Sequence, residues 1–86
     1  MRMMDCVPTL EYIRSAAQVI AGIAQRTPLV RSTLTGEVLL KLESLQPIGA
    51  FKLRGALNAM AKLDDAQKAR GVACASTGNH GRAVAY

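Results

Sequence analysis

Two segments of the sequence combine reactive side chains with the pattern of a loop that leads into a helix. The first segment, residues 41–56, reads KLESLQPIGAFKLRGA and carries Lys52 directly after Phe51. Apolar neighbours and the positive end of a helix favour the uncharged amine of a lysine, which is a nucleophile able to form a Schiff base with a carbonyl compound. By itself, such a segment more often encodes a surface lysine on a basic helix, and that interpretation stays open at this point.

The second segment is the loop STGNHG at residues 76–81, which brings hydroxyl, amide and imidazole groups to the start of a predicted helix. Backbone N–H groups at a helix start suit an anion such as a carboxylate or a phosphate. The two glycines of the loop allow a ligand to approach the backbone closely. A capped turn without a ligand is the alternative interpretation.

The first predicted helix follows Thr9, whose hydroxyl suits a helix N-cap, and carries Glu11 in its first turn, where a negative charge favours the helix dipole. Apolar residues then recur at spacings of three and four, which indicates an amphipathic helix. These residues are Leu10, Ile13, Ala17, Ile20 and Ala24. Thr27 and Pro28 are predicted to end the helix.

Short apolar runs predict strands at residues 29–31, 38–43 and 72–75. The last run is typical of a buried parallel strand, with Cys74 as a buried thiol. Further helices are predicted from residue 51, from residues 64–65 to residue 71, and from residue 82. Because helices alternate with apolar strands, the predicted fold class is α/β. Ligands bind at the carboxyl ends of strands in open α/β folds, so we expect both loops to line one shared site.

Both segments resemble the signatures of one enzyme family. The string KLESLQPIGAFKLRGA resembles the cofactor-attachment signature K-x-E-x-x-Q-x-x-x-S-F-K-x-R-G-A of the fold-type II pyridoxal 5'-phosphate (PLP) enzymes, especially the serine/threonine dehydratases and serine racemases. The string STGNHG is similar to their second signature, S-x-G-N-H. The resemblance covers roughly residues 8–86. It implies a partial fold-type II fold (tryptophan synthase β-like), in which residues 1–66 begin the large PLP domain and residues 67–86 begin the small domain.

The resemblance also implies roles for individual residues. Lys52 would hold PLP as an internal aldimine and later act as the base at the substrate Cα, with Phe51 packed beside the cofactor. Asn79 would donate a hydrogen bond to an oxygen on the pyridine ring, and Arg54 would have a structural role. The substrate carboxylate would be received by Ser76, Thr77, Gly78, Asn79 and His80. The implied reaction is β-elimination of a threonine-like or serine-like hydroxy amino acid to a 2-oxo acid and ammonia.

The sequence departs from the family pattern at two positions. Ala50 stands where serine usually precedes Phe-Lys, which loosens the assignment to the mainstream threonine dehydratases. Thr77 keeps a hydroxyl where the racemases have a serine, so a racemase is an alternative. The sequence around Lys52 is also similar to that of the dehydratase-like enzymes of ectoine and hydroxyectoine utilisation. A β-replacement synthase and a non-catalytic truncated remnant are further alternatives.

Composition argues against a nucleic-acid partner. The formal net charge of +5 could attract a polyanion, but the positive residues form no stripe, and two tyrosines and one phenylalanine leave few rings for stacking on bases. No apolar stretch approaches the roughly 20 residues of a membrane span. We therefore expect a small amino acid as the partner and, by analogy with the family, a homo-oligomeric full-length protein.

The two cysteines, Cys6 and Cys74, are too few and too far apart for a disulfide framework or a zinc site, so no metal is predicted. With no apolar leader at residues 1–9, the expected location is the cytoplasm. The chain stops about one turn into a predicted helix, and we expect it to be a fragment. The glycine-rich phosphate loop and the partner of the pyridine nitrogen are expected beyond residue 86.

Overall fold

A computed structural model describes residues 7–86, in which one helix and two short strands are followed by a 3-10 turn and three further helices. The elements are α1 (Leu10–Ile20), β1 (Leu29–Arg31), β2 (Leu39–Lys41), a 3-10 turn (Glu43–Leu45), α2 (Lys52–Ala61), α3 (Asp65–Arg70) and α4 (Asn79–Ala85). This mixed content confirms the α/β class. Cys6 and most of the loose start predicted for residues 1–8 lie outside the described residues.

Helix α1 begins where the sequence predicts. The Thr9 hydroxyl accepts a hydrogen bond of 3.1 Å from the backbone N–H of Tyr12, and Glu11 lies in the first turn. The helix ends at Ile20, however, and the prediction that it continues to Thr27 is wrong. Gly22 has a φ of +84°, a left-handed conformation that a right-handed helix cannot contain. Residues 21–27 therefore form an irregular connection to β1.

Strands β1 and β2 form an antiparallel hairpin in which Val30 is paired with Leu40. The Arg31 guanidinium donates to the Gly36 carbonyl, and the Ser32 N–H donates to the Val38 carbonyl at 2.8 Å, so the turn is closed from both sides. Strand β2 is shorter than the predicted run 38–43, because the chain turns into the 3-10 segment directly after Leu42.

The predicted buried strand at residues 72–75 is wrong. These residues have no strand pairing and are exposed, with Val72 at 48% exposure, and the Cys74 thiol is exposed rather than buried. A strand needs a neighbouring chain for its N–H and C=O groups. Within residues 7–86, the one sheet pairs β1 with β2, so no strand pairs with this run.

Helix α3 agrees with its prediction. Asp64 accepts a hydrogen bond of 2.7 Å from the Gln67 N–H, and the Gln67 side chain accepts from the Asp64 N–H at 2.9 Å. This reciprocal pair is a capping box. The helix ends at Gly71, whose φ of +79° suits glycine.

The core lies between α2 and α4. Its buried members are Ile48, Ala50, Leu53, Ala56 and Ala83. Helix α4 begins at Asn79, three residues before the predicted start, and is joined to this core through Ala83. Helix α1 packs on another side of α2. No helix within residues 7–86 has both the length and the apolar character that crossing a membrane requires.

Candidate functional site

Lys52 is the first residue of α2, directly after the N-cap Phe51. The Lys52 side chain is half-buried, and its Nζ lies over the Phe51 ring, 5.8 Å from the ring centroid. The Phe51 ring itself is 67% exposed. Within residues 7–86, the Lys52 amine has no hydrogen bond and no ion pair. The amine is therefore available to a ligand, with an open aromatic face next to it.

The loop before Lys52 is shaped by Gly49 and pinned by two buried neighbours. Gly49 has a φ of +77°, and its N–H donates to the Gln46 carbonyl at 2.7 Å. A side chain at this backbone conformation would be strained, which explains the glycine. Ile48 and Ala50 lie on either side of Gly49 and are both buried in the core. The loop thus enters α2 along a defined path.

The burial of Ala50 gives a physical account of one departure from the family pattern. Ala50 is only 9% exposed and belongs to the apolar core cluster. A serine hydroxyl at such a place would need a hydrogen-bond partner, because burying an unpaired hydroxyl is costly. Alanine fits this apolar surrounding without that requirement.

The polar side chains of the first motif form one connected network around Glu43. The Arg54 guanidinium holds the Glu43 carboxylate in a two-point ion pair, through Nε to Oε1 and through Nη2 to Oε2 at 3.1 Å. The Thr27 hydroxyl also donates to Glu43, and the Gln46 amide lies within 3.4 Å of both of its carboxylate oxygens. These hydrogen bonds, that of Arg54 foremost, lower the pKa of Glu43 to about 2, and the same pair raises the pKa of Arg54.

Gln46 connects this network to the segment before β1. Its side chain is 3% exposed and pairs with both backbone groups of Gln25: its amide N–H donates to the carbonyl at 2.7 Å, and its oxygen accepts from the N–H at 2.8 Å. Arg54 Nη2 donates to the same Gln25 carbonyl at 2.9 Å. Lys41 donates through Nζ to the Thr27 carbonyl. The structural role expected for Arg54 is confirmed by these contacts.

Sequence reasoning missed Gln25, Thr27 and Gln46 as members of this network. The sequence indicates Thr27 only as part of a helix stop, yet Thr27 is 5% exposed and forms hydrogen bonds through both its hydroxyl and its carbonyl. The available signal was the presence of the polar residues Lys41, Glu43 and Gln46 directly before the segment that supplies the core residues Ile48 and Ala50. Such residues need partners wherever they are buried.

The second loop has its own local order. The Ser76 hydroxyl accepts a hydrogen bond of 3.2 Å from the Gly78 N–H. A Cβ at Gly81 would lie 3.5 Å from the Ser76 Cβ, so a small residue fits there. The side chains of Ser76, Thr77, Asn79 and His80 are exposed. Within residues 7–86, none of these side chains is hydrogen-bonded to Lys52.

The two loops are joined through the packing of their helices rather than through direct contact. Helix α4, which begins at Asn79, packs on α2, which begins at Lys52. An open groove of about 500 Å³ runs along residues 39–44 and reaches Gly49, Ala50 and Phe51. Neither Lys52 nor the second loop lines this groove. This groove therefore does not join the two loops, and their lining of one site stays a prediction.

Comparison with known proteins identifies relatives of the same type. The model of the pyridoxal-phosphate dependent enzyme family matches residues 20–86. A Sinorhizobium fredii protein with a threonine dehydratase name is 52% identical over 91% of this chain and 25% of its own length. The serine racemase of Schizosaccharomyces pombe is 42% identical over 92% of the chain and 26% of its own length. The L-threonine ammonia-lyase of Thermotoga maritima is 43% identical over 90% of the chain and 20% of its own length.

No solved structure matches the chain. The chain spans about a quarter of the length of the curated relatives that it matches. The family match covers both motifs, the Glu43 network and the core between α2 and α4. The chain therefore belongs to the family of pyridoxal-phosphate dependent enzymes.

Proposed function

We propose that this chain is the lysine-bearing part of a PLP-dependent ammonia-lyase, which eliminates the β-hydroxyl of a threonine-like or serine-like amino acid and yields a 2-oxo acid and ammonia. The position of Lys52 carries this proposal. Lys52 is half-buried, and its amine has no hydrogen bond or ion pair within residues 7–86 and lies beside the exposed Phe51 ring. Relatives named threonine dehydratase and L-threonine ammonia-lyase support the choice of reaction.

The residues present fit a PLP group. Within residues 7–86, neither the Lys52 amine nor the exposed Asn79 amide has a hydrogen bond. The amine suits the cofactor aldehyde, and the exposed Phe51 ring suits a flat ring. When bound, PLP supplies an electron sink for the negative charge that develops at the substrate Cα. Residues 1–66 would begin the domain that carries Lys52, and residues 67–86 would begin the domain that carries Asn79.

The roles of the side chains follow from chemistry and position. Lys52 Nζ would hold the cofactor aldehyde carbon and, once released by the substrate, would accept the proton from Cα. Phe51 would pack on the cofactor ring, and Asn79 would donate its amide N–H to the ring oxygen. Ser76, Thr77 and the backbone from Gly78 to His80 would bind the substrate carboxylate. This assignment leaves Arg54 outside the reaction, because its guanidinium is held by Glu43.

A racemase is the second candidate, and the Thr77 hydroxyl favours it. Thr77 is exposed in the second loop, and the serine racemase of S. pombe is 42% identical to the chain. In a racemase, this hydroxyl would exchange a proton with Cα on the face opposite to Lys52. A β-hydroxyaspartate dehydratase of Paracoccus denitrificans, 45% identical, adds hydroxyaspartate to the substrates that need testing.

The deciding experiment uses the full-length gene product supplied with PLP. Release of ammonia and 2-oxo acid is measured with L-threonine, L-serine, β-hydroxyaspartate and a hydroxyectoine-derived amino acid, and the chirality of recovered serine is measured in parallel. We expect 2-oxo acid release that Lys52→Ala abolishes and that Lys68→Ala, an exposed lysine on α3, leaves intact. Turnover that survives Lys52→Ala would refute the proposal, and inversion of serine without 2-oxo acid would favour the racemase.

A further inference from the structure

We infer that the ion pair between Glu43 and Arg54, tethered through Gln46 to Gln25, positions the Lys52 amine for attachment of an aldehyde cofactor. This inference rests on the proposed function, because it concerns how the same lysine is presented. Glu43, Gln46 and Arg54 would act through Lys52 and would not touch the cofactor, so they are positioning residues.

The ion pair closes a ring of chain that contains Lys52. Glu43 lies at the beginning of the 3-10 turn and Arg54 lies in the first turn of α2, two residues after Lys52. The Arg54 N–H donates to the Phe51 carbonyl at 3.1 Å, so the backbone around Lys52 already has its helical form. The loop cannot shift relative to the helix start without breaking the two-point contact.

A second anchor fixes the ring relative to the rest of the chain. The Gln25 carbonyl accepts from Gln46 at 2.7 Å and from Arg54 at 2.9 Å, which joins the loop and the helix to one external point. Gln46 is 3% exposed, so its own hydrogen bonds to Gln25 are partly shielded from water. The loop before Lys52 is therefore held both at its ends and in its middle.

The burial of Leu53 explains how the Glu43–Arg54 ion pair can restrain Lys52. Leu53 is fully buried at 0% exposure and lies between Lys52 and Arg54 in the sequence. Because successive helix residues are about 100° apart around the axis, Leu53 directs one side of the first turn into the core, with Lys52 and Arg54 on either side of it. Holding Arg54 in place thus restricts rotation of this turn about Leu53. The Lys52 side chain can then extend from the helix in fewer directions.

Glu43 keeps its negative charge near neutral pH, so the ion pair with Arg54 persists there. Arg54 holds the pKa of Glu43 at about 2, so the carboxylate stays ionised at every pH at which a lysine amine reacts with an aldehyde. Within residues 7–86, this is the one ion pair present. The arginine two residues after Lys52 is thus already paired with a carboxylate.

The test measures how fast Lys52 in the full-length gene product reacts with PLP. The amine condenses with the aldehyde and releases one water, and borohydride then delivers hydride to the imine carbon and leaves a stable secondary amine. Peptide mass spectrometry quantifies this label at Lys52 and, as an internal reference, at Lys62 and Lys68. In the wild-type protein we expect Lys52 to be labelled first, since PLP bound nearby raises the effective concentration of its aldehyde.

Glu43→Gln is expected to lower the labelling rate of Lys52 about tenfold at saturating PLP, the lower limit expected when a charge-assisted hydrogen bond is lost. The rates at Lys62 and Lys68 stay unchanged. Glu37→Gln makes the same chemical change at an exposed position of the hairpin turn and should have no effect. Glu43→Asp keeps the carboxylate and should recover most of the rate.

Leu57→Ala distinguishes a general loss of stability from a loss of positioning. It removes a half-buried side chain packed on the core without changing a residue of the Glu43 network. Folding of every variant is followed by far-UV circular dichroism. Positioning is overturned if Leu57→Ala slows labelling of Lys52 as much as Glu43→Gln does, or if Glu43→Gln leaves it within twofold of wild type. If Glu43→Gln does not fold, Arg54→Lys, which keeps the charge but loses the two-point contact, is judged by the same limits. A wild-type protein with no preference for Lys52 overturns the proposed function and this inference together.

Discussion

The carboxylate of Glu43 and the guanidinium of Arg54 meet through two hydrogen bonds, one of them 3.1 Å long, across the loop that precedes Lys52. Both residues belong to the motif that also contains the lysine. A motif of this kind combines a reactive group with the side chains that hold it. The effects expected of single substitutions concern the full-length gene product.

The stability of the protein should depend on Glu43 in acid. In the folded chain its pKa falls from an ordinary value of 4.5 to about 2, chiefly through the Arg54 hydrogen bonds. A lowered folded pKa stabilises the protein above pH 4.5, and this contribution is lost as the pH falls towards 2. Urea unfolding of wild type and Glu43→Gln should therefore differ most above pH 4.5 and converge near pH 2. The same comparison with Glu37→Gln should show no such convergence.

Gly49→Ala should destabilise the loop before Lys52. Gly49 has a φ of +77°, and placing a residue with a Cβ there costs about 1–2 kcal/mol. Gly55 provides the matched control, because it lies within α2 and a Cβ there meets no atom within 4 Å. Gly55→Ala should raise the free energy of unfolding by about 0.5–1 kcal/mol. Equal effects of the two substitutions in urea would contradict this account of Gly49.

Leu53→Ala should lower the free energy of unfolding by about 2–5 kcal/mol, because Leu53 is fully buried and its removal leaves a cavity between α2 and α4. Leu34, which is 96% exposed in the hairpin turn, is the control. Leu34→Ala should change stability by no more than about 0.5 kcal/mol. Thermal unfolding by circular dichroism measures both variants, and a small effect at Leu53 would mean that the core lies elsewhere.

Thr77→Ala should separate elimination from racemisation. The Thr77 hydroxyl is exposed in the second loop and is proposed to serve proton exchange only in a racemase. For an ammonia-lyase, Thr77→Ser and Thr77→Ala should both retain 2-oxo acid release within about tenfold, the loss expected for a single hydrogen bond. For a racemase, Thr77→Ala should lose the inversion of serine at Cα, and Thr77→Ser should retain it. Chiral chromatography of serine measures this inversion.

Residues 1–86 alone should attach PLP weakly and show no turnover. Many apolar side chains are exposed, including Leu29 at 60%, Leu39 at 54% and Phe51 at 67%, and such surface calls for a covering partner. The chain also spans about a quarter of the length of its relatives. Ammonia release and borohydride-trapped label would be measured on the purified 86-residue chain. A clear dehydratase rate would show that the chain is complete for catalysis.

Local features of the fold could be predicted because their interactions join residues that are close in sequence. The Thr9 cap of α1 bonds to Tyr12, and the Asp64 capping box bonds to Gln67, each three residues away. The turn at Gly71 likewise depends on one residue type. The two family motifs, with Lys52 and Asn79, are also contained in short strings, so the sequence by itself determined the family.

Only the tertiary structure decided which side chains support Lys52 and which runs are buried. Gln25 and Arg54 are 29 residues apart but share a hydrogen bond, and no spacing rule connects them. Cys74 has the apolar neighbours of a buried strand yet is exposed, since burial of a strand depends on the chains beside it. Local hydrogen bonds are encoded within a few residues, whereas burial and long-range polar pairing exist only when distant segments fold together.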